Sequence, residues 1–214
     1  MGAGSKQNRA WAGEFGRAYT DRNPQTPEDL DALSMRNFGV SRTALNQEFL
    51  GGIGRNIPIL EVGANVGAQL AALRQMGFSR LYGVELQFYA LQMGKKRHPR
   101  TPVVQGSAFD LPFPTGAFEL VFTSGVLIHL APTMLQRAMS EICRCSRRYV
   151  WGWEYFAPEH VAIAYRGESG LMWKGDFAAM YAAHQPTMGL VREKRLKYIK
   201  NDNVDTMFLL EKKP

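Results

Sequence analysis

The stretch Ile57-Pro-Ile-Leu-Glu-Val-Gly-Ala-Asn-Val-Gly67 decides how this chain is read. An apolar run ends in an acidic residue and a glycine-spaced turn. Ala68-Gln-Leu-Ala-Ala-Leu73 follows directly and has the composition of a helix. Gly63 and Gly67 let the backbone turn sharply and approach a ligand where a Cβ would clash. The helix beyond aims its unpaired N–H groups back at the turn. Strand, small-residue turn and helix in that order describe a nucleotide-type site at the carboxyl end of a strand.

Outward from this point the chain alternates between strands and helices. The first strand covers 57–63, and its helix sets Val66, Leu70, Leu73 and Met76 on one face. Arg80 to Glu85 reads as the second strand and Gln87 to Lys96 as the next helix. Strands three and four are Pro102 to Gln105 and Phe118 to Thr123. A helix from Thr133 to Cys145 leads into strand five, Tyr149 to Trp153. After Glu154 the rhythm breaks into an irregular insertion, 155–172, followed by a helix from Lys174 to Ala183. Gly189 to Ile199 and Asp205 to Glu211 then form a closing hairpin-like pair. Repeated βα units require parallel strands with helices on both faces. The expected fold is therefore α/β and Rossmann-like: a seven-stranded, mostly parallel sheet ending in an antiparallel strand pair.

Ahead of this core, residues 1–10 read as disordered and 11–54 as a helical cap or lid, leaving 55–214 as the core. Trp11, Phe15 and Tyr19 recur every four residues and can share a helical face. Gly51, Gly52 and Gly54 end the cap. The totals suit one compact domain of 214 residues with 45% hydrophobic content. No apolar run reaches the ~18–20 residues of a membrane span, and Met1 to Asn8 lacks a secretory core. Cys143 and Cys145 stand two apart on a helix, so they face apart and cannot easily bridge. The expectation is a reduced, cytoplasmic protein. A net charge of +7 raises the question of nucleic acid, but the charge is scattered and partly ends helices.

The ligand can be narrowed from the residues alone. Dinucleotide sites need glycine where a pyrophosphate presses on the turn, and Asn65 stands there, which argues against NAD or FAD. Glu85 ends strand two some twenty residues on, where a carboxylate accepts both hydroxyls of a ribose. Gly106-Ser-Ala-Phe-Asp-Leu-Pro-Phe-Pro114 follows strand three at the same edge. Metal dependence has little support, because His98, His129, His160 and His184 are widely spaced and no zinc pattern occurs.

Glu61 to Gly67, Gly83-Val-Glu85, Gly106 to Val121 and Val126-Leu-Ile-His-Leu130 together resemble the successive motifs of class I S-adenosylmethionine-dependent methyltransferases. More narrowly, Trp11 to Gly16, Tyr19 to Asn23, Ser41 to Leu45, Gly125 to His129, Glu141 to Tyr149, Glu154-Tyr155, Tyr165-Arg-Gly167 and Phe208 to Glu211 are similar to the methylases associated with pseudaminic acid biosynthesis. The resemblance implies S-adenosylmethionine as cofactor and S-adenosylhomocysteine as product. It gives Glu61 and Gly63 the methionine part, with Asn65 where many members have glycine. Glu85 takes the ribose and Leu86 packs on adenine. Ser107 replaces a common Asp at the adenine amino group, Ala108 offers its backbone, and Thr123 faces the sulfonium.

Methyl transfer is an in-line displacement that needs alignment and, for a hydroxyl acceptor, removal of a proton. The edge beyond strands four and five supplies His129, Glu154 and Tyr155, and an imidazole near neutral pH suits an oxygen acceptor. Tyr165 and Arg166 overhang the same edge. With Tyr19, Arg22 and Arg42 from the cap they suggest a small anionic acceptor, such as an acidic sugar or sugar nucleotide, because arginine's planar fork suits carboxylate or phosphate. The expectation is an enzyme methylating O or N of such a metabolite, as monomer or homodimer. The rivals are an RNA methyltransferase and a non-catalytic S-adenosylmethionine-binding protein, since fold alone does not fix activity.

Overall fold

The computed structural model describes residues 6–213. Five strands run parallel: β1 (Pro58–Val62), β2 (Arg80–Glu85), β3 (Val103–Gln105), β4 (Phe118–Ser124) and β5 (Ser146–Phe156). A two-stranded excursion, β6 (Val161–Ala162) with β7 (Trp173–Lys174), follows. Two long strands, β8 (Met188–Lys197) and β9 (Val204–Lys212), close the chain. The main sheet has seven strands in the order β3-β2-β1-β4-β5-β9-β8. β9 lies antiparallel between β5 and β8. The order reverses direction between β1 and β4, and there a crevice opens beyond the carboxyl ends of the strands.

Both faces of the sheet are covered, so the central strands are apolar in consecutive positions. Leu60, Val121, Val150 and Phe208 belong to one core with Leu135, Met139 and Ile142 of α7 (Pro132–Cys145) and with Phe177 and Tyr181 of α8 (Phe177–His184). Their neighbours Ile59, Leu120, Phe122, Trp151 and Leu209 point the other way. They pack on Leu45, Phe49 and Leu50 of α4 (Arg42–Leu50) and on Leu70 and Leu73 of α5 (Ala68–Gln75). Each fully buried large side chain contributes roughly 1.5–3 kcal/mol by removal from water. Gly152 is part of this packing: a Cβ there would stand 2.1 Å from the ring of its cross-strand partner Phe208. The alternation also fixes the site, because Glu61 shares the face of Ile59 and so points under α4.

The expected disorder of residues 1–10 needs correcting. Residues 1–5 lie outside the described residues, and Lys6 onward is helix α1 (Lys6–Ala12). The polar run from Lys6 carries Gln7, which is buried and holds the helix to the body by hydrogen bonds. Gly13 separates α1 from α2 (Glu14–Arg22), yet Trp11 still meets Phe15 and Tyr19 edge to face, each at 5.1 Å. α3 (Pro27–Phe38) begins with a reciprocal capping box of Thr26 and Asp29 and stops at Gly39 in the left-handed region. α6 (Phe88–Arg97) follows β2. Strand five is longer than its apolar run suggests, because Glu154 to Phe156 continue the pairing with β9.

Candidate active site

Three connected hollows lie at the crevice. The first, of about 760 Å³ with its open mouth, runs along the ends of β1, β2 and β3 under α1 and α2. Its floor is the turn Gly63 to Gly67. Gly63 has φ +74, and a Cβ there would stand 2.5 Å from Val126, so any other residue would strain the turn and narrow the space. Asn65 also takes a positive φ of 48, and its N–H donates to Glu85 Oε2 at 2.8 Å. Gln87 N–H donates to Glu85 Oε1 at 2.7 Å. Backbone N–H groups thus hold the carboxylate in place at the edge of the cleft. Burial nonetheless pushes its pKa up. Leu86, Ser107 and Ala108 line the same cleft. Ser107 Oγ accepts from Phe109 N–H at 3.2 Å, so the hydroxyl that replaces the family's Asp is engaged in shaping its own turn.

The roof is tied to both walls. Gln7 Nε2 donates to the carbonyl of His129, and Gln7 Oε1 accepts from Ala131 N–H at 2.9 Å. Across the cleft, Gln87 Nε2 donates to the carbonyls of Trp11 at 3.2 Å and Gly13 at 2.8 Å.

The second hollow, about 750 Å³ with its mouth, lies beneath α4 and includes Glu61, Arg42, Gln69, Asn65, Trp153 and Asp205 in its lining. It is rich in buried polar atoms that lack a protein partner: Glu61 Oε2, Arg42 Nε, Gln69 Oε1 and Asn65 Oδ1. Such atoms are costly unless something else satisfies them. Burial holds the Glu61 carboxyl well above its ordinary pKa, against the pull of Arg42. The Arg42 guanidinium stacks 3.3 Å from the centre of the Trp153 ring and donates to Ser124 Oγ at 3.2 Å. Burial lowers its pKa to about 10.

The third hollow, about 740 Å³ with its mouth, opens beyond β4, β5 and β9. Tyr155, Tyr165, Tyr198, Met172 and Ile163 give it apolar walls, and Glu154 and Asp205 bring carboxylates. Glu154 accepts from Val126 N–H at 3.2 Å and Ile128 N–H at 3.3 Å, and so holds the loop between β4 and α7. Burial raises its pKa to about 7. Tyr155 is raised to about 12, by burial first and then by Asp205, and so stays a neutral hydroxyl. Gly125 lines all three hollows, while Trp153 and Asp205 line the second and third.

Several sequence expectations change here. His129 is buried and lines the first cleft, with its ring 4.3 Å from Trp11. Burial pushes it down to about 4, so it is not an imidazole poised near neutrality. Its Nδ1 lies 3.0 Å from the Leu171 carbonyl, which assigns the proton to that nitrogen. Thr123 is buried and hydrogen-bonds Glu154, while Ser124 and Gly125 stand at the hollow in its place. The arginines do not converge on one anion. Arg42 lines the second hollow. Arg22 is exposed, about 5.5 to 6.0 Å from the rings of Phe15, Tyr19 and Tyr165. Arg166 is exposed at φ +53 in the tight turn between Tyr165 and Glu168. Tyr19 lines the first two hollows, and burial raises its pKa. Asp205, Tyr198, Trp153 and Gln69 escaped the sequence reading. Asp205 and Tyr198 carried one possible signal, as polar residues flanking the last turn of an otherwise apolar strand pair. Among the described residues no group of three or more His, Cys, Asp or Glu could hold a metal. Among the described residues no helix is long and apolar enough to cross a membrane.

This strand order, with its acidic residues ending β1 and β2, is that of the class I S-adenosylmethionine-dependent methyltransferase fold. Known proteins agree. Residues 60–149 match the family described as Methyltransferase domain. An uncharacterized methyltransferase of Synechocystis sp., sll0829, is 35% identical over 86 residues, which is 40% of this chain and 40% of that protein. The match therefore spans about two fifths of that relative's length. Among solved structures, the PH0226 protein of Pyrococcus horikoshii superposes with a TM-score of 0.71 at 12% identity, covering 94% of this chain and 99% of that one. The 1,6-didemethyltoxoflavin-N1-methyltransferase of Burkholderia thailandensis, solved with 1,6-didemethyltoxoflavin and S-adenosylhomocysteine, gives a TM-score of 0.66 at 15% identity, covering 95% and 92%. Residues 60–149 thus match a methyltransferase domain, and the fold of the chain is the one these solved structures share.

Proposed function

We propose that the protein is an S-adenosylmethionine-dependent methyltransferase acting on a hydroxyl or amino group of a small, sugar-sized metabolite. The observation that carries this is the juncture at Gly125, which lines the cleft at the ends of β1 to β3, the polar hollow and the aromatic hollow alike. S-adenosylmethionine, when bound, supplies an electrophilic methyl group on its sulfonium. Glu85 would accept the ribose hydroxyls, with Leu86, Ser107 and Ala108 around the base. The unpartnered atoms of Glu61, Gln69 and Asn65 suit an ammonium, and Arg42 suits a carboxylate. Those are the two charges of an amino-acid end, so the residues present fit the cofactor.

On the acceptor side, Glu154 is the candidate base. Backbone N–H groups of the loop beyond β4 and the Thr123 hydroxyl orient its carboxylate at the wall of the hollow, and a pKa raised to about 7 matches a proton acceptor at neutral pH. Tyr155 lines the same hollow and can orient an acceptor hydroxyl. His129 is a wall residue in this reading. The narrower kinship with the pseudaminic-acid-associated methylases rests on the sequence stretches alone. An anionic acceptor has less support, because Arg42 lines the second hollow and not the third, and Arg22 and Arg166 line none of the three.

Two measurements test the reading. Calorimetry of the intact protein should detect S-adenosylhomocysteine. Release of S-adenosylhomocysteine from S-adenosylmethionine should depend on a small acceptor. Turnover with tRNA alone would select the RNA rival, and cofactor binding with no turnover on any acceptor would select the non-catalytic one.

A further inference from the structure

We infer that Asp205 is the specificity-determining anchor of the acceptor hollow, selecting a neutral or cationic acceptor that donates a hydrogen bond and excluding a carboxylate-bearing one. The inference rests on the methyltransferase reading and names the acceptor class of that site.

Asp205 comes from β9, remote in sequence from every cofactor motif. It sits in the wall shared by the polar and aromatic hollows. Two donors fix its carboxylate: Trp153 Nε1–H to Oδ2 at 2.7 Å and Tyr198 O–H to Oδ1 at 3.3 Å. Fixed this way, each oxygen keeps lone pairs for a ligand and offers no proton of its own. Among the described residues no Arg, Lys or His side chain lines the aromatic hollow. The nearby cations act from outside its walls. Arg42 lies against the Trp153 ring, and Lys174 Nζ rests 4.3 Å from the centre of the Tyr155 ring while donating to Asn203 Oδ1 at 2.7 Å. Both cations already act on Asp205 and neither lines the hollow, so an anion entering would meet Asp205 and Glu154 with no cation in the wall to pair with, and burial of an unpaired charge is costly. A hydroxyl or ammonium would find an oriented acceptor, with Tyr155, Tyr165 and Tyr198 offering aromatic faces to the rest of the molecule.

Saturation-transfer NMR with three ring-matched probes tests this: D-glucosamine, D-glucose and D-glucuronate, each with the full chain, with and without S-adenosylhomocysteine. The expected result is transfer to glucosamine and glucose and none to glucuronate. Asp205→Asn keeps the shape but removes the charge. It should lower the glucosamine and glucose signals at least fivefold and leave S-adenosylhomocysteine affinity within threefold of wild type. Tyr198→Phe, which frees one oxygen of Asp205 without altering the charge, should keep the discrimination against glucuronate. Glucuronate binding as well as the others, no probe binding at all, or an Asp205→Asn protein that discriminates like wild type would each overturn the inference. Loss of S-adenosylhomocysteine binding in the wild type would instead overturn the methyltransferase reading, and the probes would still report on the hollow.

Discussion

The two hollows on either side of Trp153 and Asp205 are of similar size but opposite construction. Beneath α4, charged and amide groups are buried with atoms left unpartnered. On the far side, tyrosines and a methionine dominate, and the two carboxylates are tied to protein donors. A set of unsatisfied polar atoms is shaped for one ligand with matching charges. A satisfied aromatic hollow admits a class of molecules and sorts them by a few groups. In the proposed reading the first would hold a cofactor that never varies, and the second the acceptor that distinguishes one methyltransferase from another.

The largest expected effect lies in the acceptor hollow. Glu154→Gln should reduce kcat by ~10²–10³, the range of a general base, with S-adenosylhomocysteine affinity little changed. The same variant tests the buried carboxyl by linkage. Below pH 4.5 Glu154 is protonated in both folded and unfolded chains. As pH rises, the unfolded chain ionises first, while the folded one keeps its proton to about 7. Stability from this group is therefore lost between those values, by up to ~3 kcal/mol. Denaturant titrations across pH 4–8 should show the variant losing less stability than wild type over that window. A variant that keeps its turnover and falls as steeply as wild type would erase the contrast drawn between the hollows.

In the crevice proposed for the cofactor, Glu85→Ala would remove the proposed ribose contacts and should weaken S-adenosylhomocysteine by ~3 kcal/mol, on the order of 100-fold by calorimetry. Arg42→Met sharpens the assignment within the polar hollow. It should cost ~10- to 30-fold for S-adenosylhomocysteine and nothing for methylthioadenosine, which lacks the amino-acid end. Equal losses for both ligands would place Arg42 elsewhere. The smallest effect belongs to the roof. Gln7→Ala loses two hydrogen bonds to the loop beyond β4, and stopped-flow dissociation of S-adenosylhomocysteine should quicken about fivefold, or ~1 kcal/mol.

The same contrast explains what could be read from the chain. The crevice proposed for the cofactor was legible as a place in the fold because its parts are local: Glu61, Gly63 and Asn65 lie within one turn, and Glu85 ends the next strand. The seven strands and the closing pair followed from alternating apolar periods. The acceptor side is assembled from β5, β9 and the excursion near Tyr165, and no short motif announces that Asp205 and Tyr198 meet Tyr155 in space. Arginines were misjudged for a related reason. Arg42 looks like any helix-start cation in the sequence, and only the sheet's alternation, which turns Glu61 under α4, brings the two together. His129 was expected to titrate near neutrality because the burial that lowers it, against the opposing pull of its hydrogen bond to the Leu171 carbonyl, involves Trp11 and Tyr19 from a segment far away in the chain. The start of α1 was missed because seven mostly polar residues carry little periodicity, and its anchorage through Gln7 is tertiary.

The most direct test is a crystal structure of the protein with S-adenosylhomocysteine. The ribose should lie on Glu85, the amino-acid end beneath α4 against Glu61 and Arg42, and the sulfur beside Gly125, facing the hollow of Tyr155 and Asp205. An amino-acid end lying in the aromatic hollow, or a sulfur turned away from it, would contradict the account.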